Sequence, residues 1–285
     1  MAERFEVLAF RYGRLRTEWN QLFVDEMASR SGQTEMAYYF WLAFNDERLI
    51  LIDTGFHPAV GQRRGRELLI EPLAALQRAG VHPDDITDVI LTHFHYDHIG
   101  NAREFKKAHF YTSEAEYDYW VTQNGLHNGE APVESDELAV IEGIRAEGRL
   151  TLLPAEAPSA VVGGIRSLPL RGHTPGQIGL QVPTRGAPVF LTSDAAHTQE
   201  EIERDAPFHV FTDLRQMKQS MAAVRAMVDR QEHILVLGHE KSVAEDFPLW
   251  RSTDGIYQVS PVVPEVQGTS DHTIHSAESS KGTGA

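Results

Sequence analysis

Not one of the 285 residues is a cysteine. That absence removes disulfides, thiolate ligands and a thiol nucleophile together. Any metal must therefore be held by imidazole and carboxylate, a set that suits zinc and also iron, manganese or cobalt. Basic side chains are scarce: 26 Lys and Arg stand against 41 Asp and Glu, a formal net charge of −15. A field of that sign repels phosphate backbones and argues against nucleic acid as a partner. Long apolar runs are missing too. The most apolar stretch, residues 38–44, falls far short of the ~20 residues a membrane-spanning helix needs. The opening Met1-Ala2-Glu3-Arg4-Phe5 lacks the basic flank and apolar core of a secretory peptide, so the expected setting is cytoplasmic, with no membrane partner. Otherwise, 41% apolar and 24% charged residues describe an ordinary globular composition.

Histidine is where the chain concentrates its chemistry. In Thr92-His93-Phe94-His95-Tyr96-Asp97-His98-Ile99-Gly100, ligand-type side chains alternate with aromatics directly after the apolar Val89-Ile90-Leu91. A strand that ends in a loop entering a helix can turn alternate side chains into one pocket. Three more candidates occupy comparable places. His173 lies in Leu170-Arg171-Gly172-His173-Thr174-Pro175-Gly176, after apolar residues 165–170. Asp194 follows Val189-Phe190-Leu191-Thr192-Ser193, and His239 follows Ile234-Leu235-Val236-Leu237-Gly238. Open α/β folds gather their sites at such strand ends. A single histidine beside an apolar run is ordinarily a core or surface residue; four separated segments repeating the arrangement single this set out.

Together with Asp53-Thr54-Gly55, these motifs resemble the metallo-β-lactamase superfamily over roughly residues 35–245. Within it the chain is most similar to the dinuclear-zinc lactonases of the N-acyl-homoserine lactonase type. The resemblance implies an α/β fold, a four-layer αβ/βα sandwich of two mixed β-sheets flanked by helices. It also implies two divalent metal ions, with zinc expected. His93, His95 and His173 would hold one, Asp97, His98 and His239 the other, and Asp194 would bridge them. Asp53 is expected beside the metals, orienting ligand histidines or loop amides.

The implied reaction is the opening of a lactone, a small-molecule cyclic ester, by a hydroxide held between the metals. Asp97 would carry the proton to the leaving alkoxide, a poor leaving group that needs a nearby acid. Thioesterases of the glyoxalase II kind share much of the ligand set and remain an alternative. They bring a C-terminal helical domain with basic residues, which this tail does not show. A non-catalytic metal-binding member of the fold is the other alternative. The di-iron oxygen reductases of the superfamily carry Glu where this chain has His95, which argues against redox use. A homodimer is compatible with all of these readings.

One position departs from the lactonase pattern. The better-known members place a tyrosine three residues after the bridging aspartate, where this chain has His197 in Asp194-Ala195-Ala196-His197. Neutral imidazole donates one hydrogen bond and imidazolium adds charge, so His197 is a catalytic candidate alongside Asp97. The change points away from an acyl-homoserine lactone, toward a substrate carrying a carboxylate or phenolate. Tyr96 and Phe56 are expected to bind substrate as well as His197. His57, Trp19, Phe23 and Met27 are further candidates for the pocket wall.

Elsewhere the pattern predicts a strand at residues 5–10 and a hairpin of residues 38–44 and 48–52 about Asn45-Asp46-Glu47. Pro72 and Gly80 bound a helix over residues 71–79. Leu214, Met217, Met221, Val224 and Val228 give a helix over 213–230 its apolar stripe, with Asp213 and Gln216 as a capping pair. The acidic stretch Glu130, Glu134, Asp136, Glu137, Glu142 and Glu147, faced only by Arg145, reads as a solvated helical face. Proline and glycine at 154–158 and 163–164 mark a crossing between halves of one domain. The expected organisation is one hydrolase domain over residues 1–258, with a helical insertion around 113–149 walling the pocket. A disordered tail is expected over 259–285.

Overall fold

Alternation along two long strands decides the layering. The computed structural model describes residues 3–24, 31–123, 125 and 132–261, and its first strands are β1 (Glu6–Glu18) and β2 (Gln33–Phe44), paired antiparallel. Val7 and Ala9 of β1, with Tyr39, Trp41 and Ala43 of β2, enter one apolar cluster. Their neighbours Leu8, Phe10, Tyr38, Phe40 and Leu42 enter another on the opposite face. A strand buried on both faces reads as an unbroken apolar run, which is why residues 38–44 show no alternation.

The first sheet also contains β3 (Leu49–Ile52), β4 (Glu67–Leu68), β5 (Asp88–Ile90), β6 (His109–Ser113), β7 (Leu150–Leu153) and β13 (Ile256–Gln258). Its order is β13-β1-β2-β3-β5-β6-β7, with β4 beside β1. The run from β3 to β7 is parallel and the remainder antiparallel. The second sheet is β8 (Ser159–Ala160), β9 (Arg166–Pro169), β10 (Ile178–Val182), β11 (Val189–Leu191) and β12 (Ile234–Val236). It runs β12-β11-β10-β9-β8, with β11 and β12 parallel. Ile178, Leu180, Val182, Val189, Leu191 and Val236 share the cluster of Val7 and Trp41, so the two mixed sheets pack face to face.

Helices cover the outer faces. Ala75 and Leu76 of α2 (Pro72–Arg78) and Ile141 and Ile144 of α5 (Ser135–Ala146) back the first sheet. Short α1 (Pro58–Arg63), α3 (Tyr96–Ile99) and α4 (Glu114–Tyr117) sit in its connections. Outside the second sheet, Ile202 of α6 (Gln199–Arg204) and Val224 of α7 (Leu214–Arg230) pack on Leu170 and Phe190. The result is the expected αβ/βα sandwich. Among the described residues, no helix is long and apolar enough to cross a membrane.

Local expectations fare unevenly. The hairpin forms with Phe44 opposite Leu49, and the Asn45 side-chain oxygen accepts the Glu47 and Arg48 amides at 2.9 Å each. Helix α7 starts at the Asp213 cap, whose carboxylate accepts Gln216 N and Nε2 at 2.9 Å each. Its apolar stripe stops early, because Val228 in the last turn is 43% exposed. The 154–164 segment does connect the sheets, running from β7 at one edge to β8 and β9. The acidic stretch is not simply a solvated face: Glu134 pairs with Arg63 and Arg64, and Glu137 is buried. Most of the expected tail, like Met27 and Glu130, lies outside the described residues. Val259 and Ser260, placed in that tail by composition, are buried beside β1. There Val7 N–H donates to Ser260 Oγ at 3.0 Å and Val259 N–H to Val7 O at 2.9 Å.

Candidate metal centre

All seven ligand candidates converge at the ends of strands. The loop after β5 supplies His93 and His95, and α3 supplies Asp97 and His98. His173 follows β9, Asp194 follows β11 and His239 follows β12. They form two groups: His93, His95, His173 and Asp194, and Asp97, His98, His239 and Asp194. Within each group one donor atom per residue lies inside 4.8 Å of the others, and every member is buried. Asp194 belongs to both. Its Oδ2 is 3.3 Å from His173 Nε2, 3.8 Å from His93 Nε2 and 3.2 Å from His239 Nε2, and its Oδ1 is 3.4 Å from His98 Nε2.

The outer nitrogens of four histidines are engaged by oxygen partners. His98 Nδ1 meets Asp53 Oδ2 at 2.7 Å, His173 Nδ1 meets Val210 O at 2.9 Å and His239 Nδ1 meets Ala37 O at 2.8 Å. His93 Nδ1 is 3.2 Å from Thr92 Oγ1. Carbonyls and carboxylates only accept, so at the first three positions Nδ1 carries a proton and Nε2 is the nitrogen turned inward. Burial opposes charge on His98, but Asp194, Asp53 and Asp97 hold it well above the usual histidine range. Burial, reinforced by neighbouring imidazoles, holds His93 and His95 well below the usual histidine range. Burial alone would raise Asp194, yet His239, His98 and His197 around it hold its carboxyl well below the usual range.

These residues fit a pair of divalent cations. His93 Nε2, His98 Nε2 and Asp194 Oδ1 are buried with no hydrogen-bond partner among the described residues. Such orphaned atoms are costly in a dry interior, and here they point into the space the two groups enclose. Inward-turned imidazole nitrogens plus carboxylate oxygens are the donor types that zinc and similar metals take.

Residues the sequence did not single out fix the loops. Glu116 of α4 is fully buried. Its Oε1 accepts Phe94 N–H and Trp120 Nε1–H at 2.8 Å each, and its Oε2 accepts Thr174 Oγ1–H at 2.6 Å and Gly176 N–H at 3.0 Å. One carboxylate thus ties the His93–His95 loop to the His173 loop. Burial pushes Glu116 up to about 7 against those four donors. The close approach explains Gly176, where a Cβ would stand 2.0 Å from Glu116 N. Gly172 answers to the same logic: its φ is +124° and a Cβ would come within 1.9 Å of Met217 N at the start of α7. Gly-x-x-x-Gly around His173 was the available signal for this packing.

The donors open into a pocket of about 650 Å³, lined on the metal side by His95, Asp97, His173, Asp194 and His239. Tyr96 and His197 line it, joined by Tyr38, Arg64, Arg66 and Phe208. His197 is sandwiched against Phe208, with ring centroids 3.8 Å apart. Its Nδ1 lies 3.1 Å from Glu201 Oε2 and its unpartnered Nε2 3.4 Å from Asp194 Oδ2. Although burial opposes the charge, Glu201 and Asp194 push His197 up to about 9.

Phe56 does not line this pocket. The turn at Gly55 sends its ring into the core, 4.8 Å from Tyr12 and 5.5 Å from Tyr38, beneath the tyrosines that face the site. His57 caps α1, accepting Ala59 N–H at 3.3 Å, and borders a different cavity. Trp19 and Phe23 pack on Met217 and Met221 behind the wall, leaving Leu22 to face the pocket.

Residues 34–239 match the family model of the metallo-β-lactamase superfamily. The chain belongs to that superfamily. Among its curated relatives, an N-acyl homoserine lactonase of a Bacillus species is 28% identical over 221 residues, spanning 72% of this chain and 82% of that protein. The N-acyl homoserine lactonase AiiB of Agrobacterium fabrum is 29% identical over 232 residues, or 73% and 80%. The chain spans 60% of the length of the Bacillus thuringiensis subsp. kurstaki lactonase AiiA, at 29% identity. In three dimensions the superfamily fold aligns with an N-acyl homoserine lactone hydrolase that has N-hexanoyl-L-homoserine at its catalytic metal centre. That match has a TM-score of 0.70 and 21% identity, covering 88% of this chain and 99% of the other. The dizinc lactonase AidC aligns with a TM-score of 0.68 and 20% identity, covering 85% and 89%. Those likenesses are of fold.

Proposed function

We propose that this metallo-β-lactamase-fold chain is a hydrolase that opens lactones at a dinuclear metal centre, with zinc as the metal. The observation that carries the reading is the sharing of Asp194 between two buried donor groups at the pocket floor. In this reading His93, His95 and His173 hold one ion, Asp97, His98 and His239 the other, and Asp194 bridges. A bound pair of cations would supply Lewis-acid polarisation of the ester carbonyl and a water acidic enough to attack near neutral pH.

The chain's own groups do the rest. Asp97 Oδ2 lies 3.7 Å from both His98 Nε2 and His239 Nε2, on the pocket side. That position lets it take a proton and return it to the departing alkoxide. His197 presents Nε2 to the pocket while Glu201 fixes its other nitrogen, an arrangement suited to donating toward the carbonyl oxygen as charge develops. Tyr96 and Phe208 exclude water from the wall. The lactonase names of the relatives support this chemistry, and a cytoplasmic setting is part of the same proposal.

The test is metal analysis of purified protein followed by lactone opening in a pH-stat, with and without chelator and with a thioester panel alongside. Two metals per chain and chelator-sensitive lactone opening are expected. Faster turnover of thioesters than of every lactone would overturn the assignment, and metal without any hydrolysis would leave a binding protein.

A further inference from the structure

One guanidinium on the pocket wall is left without an anion. Arg66 follows α1 and precedes β4, and it is half-buried. Its Nε donates to Tyr96 Oη at 2.9 Å and its Nη1 to Arg64 O at 2.7 Å. Nη2 has no acceptor and no carboxylate pairs with the group among the described residues. The neighbouring arginines are committed: Arg63 and Arg64 both pair with Glu134, at 2.6 and 2.7 Å. Arg16 lies on the same wall. Such a grouping is unexpected in a chain of net charge −15.

The two fixed nitrogens hold the planar fork in one orientation, so little side-chain entropy is lost when the remaining N–H groups engage a ligand. Arg66 also borders a second cavity, but Glu67, Glu71 and Glu104 line that side and repel an anion there. On the metal side the carboxylates are Asp97 and Asp194, both ligand candidates whose charge bound cations would offset. A half-buried guanidinium fixed beside Tyr96 with its end N–H groups free recognises a planar, two-oxygen anion best.

We infer that the lactone substrate carries a carboxylate and that Arg66 receives it. This deepens the lactone-opening reading and rests on it.

The experiment compares γ-carboxy-γ-butyrolactone with its neutral carboxamide, and carboxyphthalide with its carboxamide, on zinc-loaded protein. N-hexanoyl-homoserine lactone serves as an uncharged reference. The acids should exceed their amides in kcat/KM by about ten- to a hundred-fold, mainly through KM, the range of one charged hydrogen-bonded contact. Arg66→Gln should collapse that ratio toward one. Arg66→Lys, which keeps the charge but not the fork, should restore part of it, a rescue that mere support of Tyr96 would not give. Acid-to-amide ratios near one in the wild type, or unchanged in Arg66→Gln, overturn the inference even if the reference lactone is opened. If no lactone is opened, the functional reading fails, and calorimetric binding of acid against amide judges the subsite by itself: equal affinities sink it.

Discussion

Asp53 holds His98 and Thr92 with one carboxylate. Its Oδ2 meets His98 Nδ1 at 2.7 Å and Thr92 Oγ1 at 2.8 Å, while Oδ1 accepts the Thr92 amide at 2.8 Å. Asp53 does this from a left-handed backbone conformation, φ 59°, one that non-glycine residues adopt at a cost. Both ends of the His93–His98 run are thereby referenced to the end of β3.

Asp53→Asn keeps the shape but weakens the acceptor for His98. Metal affinity should fall about ten- to a hundred-fold, the usual effect of losing an orienting carboxylate. Competition with a coloured chelator measures it, and an unchanged affinity would reduce Asp53 to a loop anchor.

Glu116→Gln replaces two acceptors by one and turns an amide toward donors. The folded state should weaken by about 1–3 kcal/mol, and metal should leave the His93, His95 and His173 group first. Thermal unfolding with and without zinc, read beside stepwise metal release, checks both; wild-type values in each would deny Glu116 its part in joining the loops.

Neither the tie made by Glu116 nor the isolation of Arg66 could be read from the chain. The ligand candidates were legible because their four segments each follow an apolar strand, a purely local signal. Glu116 contacts Thr174 across 58 positions and sits in a stretch where acidic residues are common, so nothing local distinguishes it. Arg66 is likewise one of three arginines within four residues; only tertiary pairing shows that Glu134 takes the other two. Phe56 was misplaced for a related reason. Its neighbourhood in sequence is the site's, but Tyr12 Oη accepts its amide at 3.0 Å and the ring turns inward.

Glu137 gives a pH signature. Burial and the nearby charges of Glu134 and Asp97 push it up to about 8, and neither carboxyl oxygen has a hydrogen-bond partner among the described residues. Between its ordinary value and about 8 the folded chain keeps a proton that the unfolded chain has lost. This group's contribution to stability therefore falls as pH rises through that window and levels off above it. Glu137→Gln should match the wild type near pH 4.5 and exceed it by about 1–3 kcal/mol at pH 9. Denaturant titrations at both pH values decide; equal stability at pH 9 would mean the carboxylate is solvated.

His197→Ala should leave metal content intact and lower kcat/KM on the best lactone by about 1–3 kcal/mol, one hydrogen bond to developing charge. His197→Tyr should shift preference toward N-acyl homoserine lactones. Wild-type kinetics in His197→Ala would make the imidazole a wall residue only.

The parallel pair β11 and β12 brings Asp194 and His239 side by side although they are separated by 45 positions of chain. Their spacing is set by the distance between neighbouring strands and not by what the chain does in between. Away from Glu201, Val210 and Met217, which hold His197, His173 and Gly172, the intervening segment can accept insertions, deletions or new side chains while Asp194 and His239 stay in register. The same independence holds for the α1–β4 segment that delivers Arg66. Selection can therefore retune which ring enters without rebuilding the machinery that opens it. Related enzymes on this scaffold should diverge in walls long before they diverge in floors.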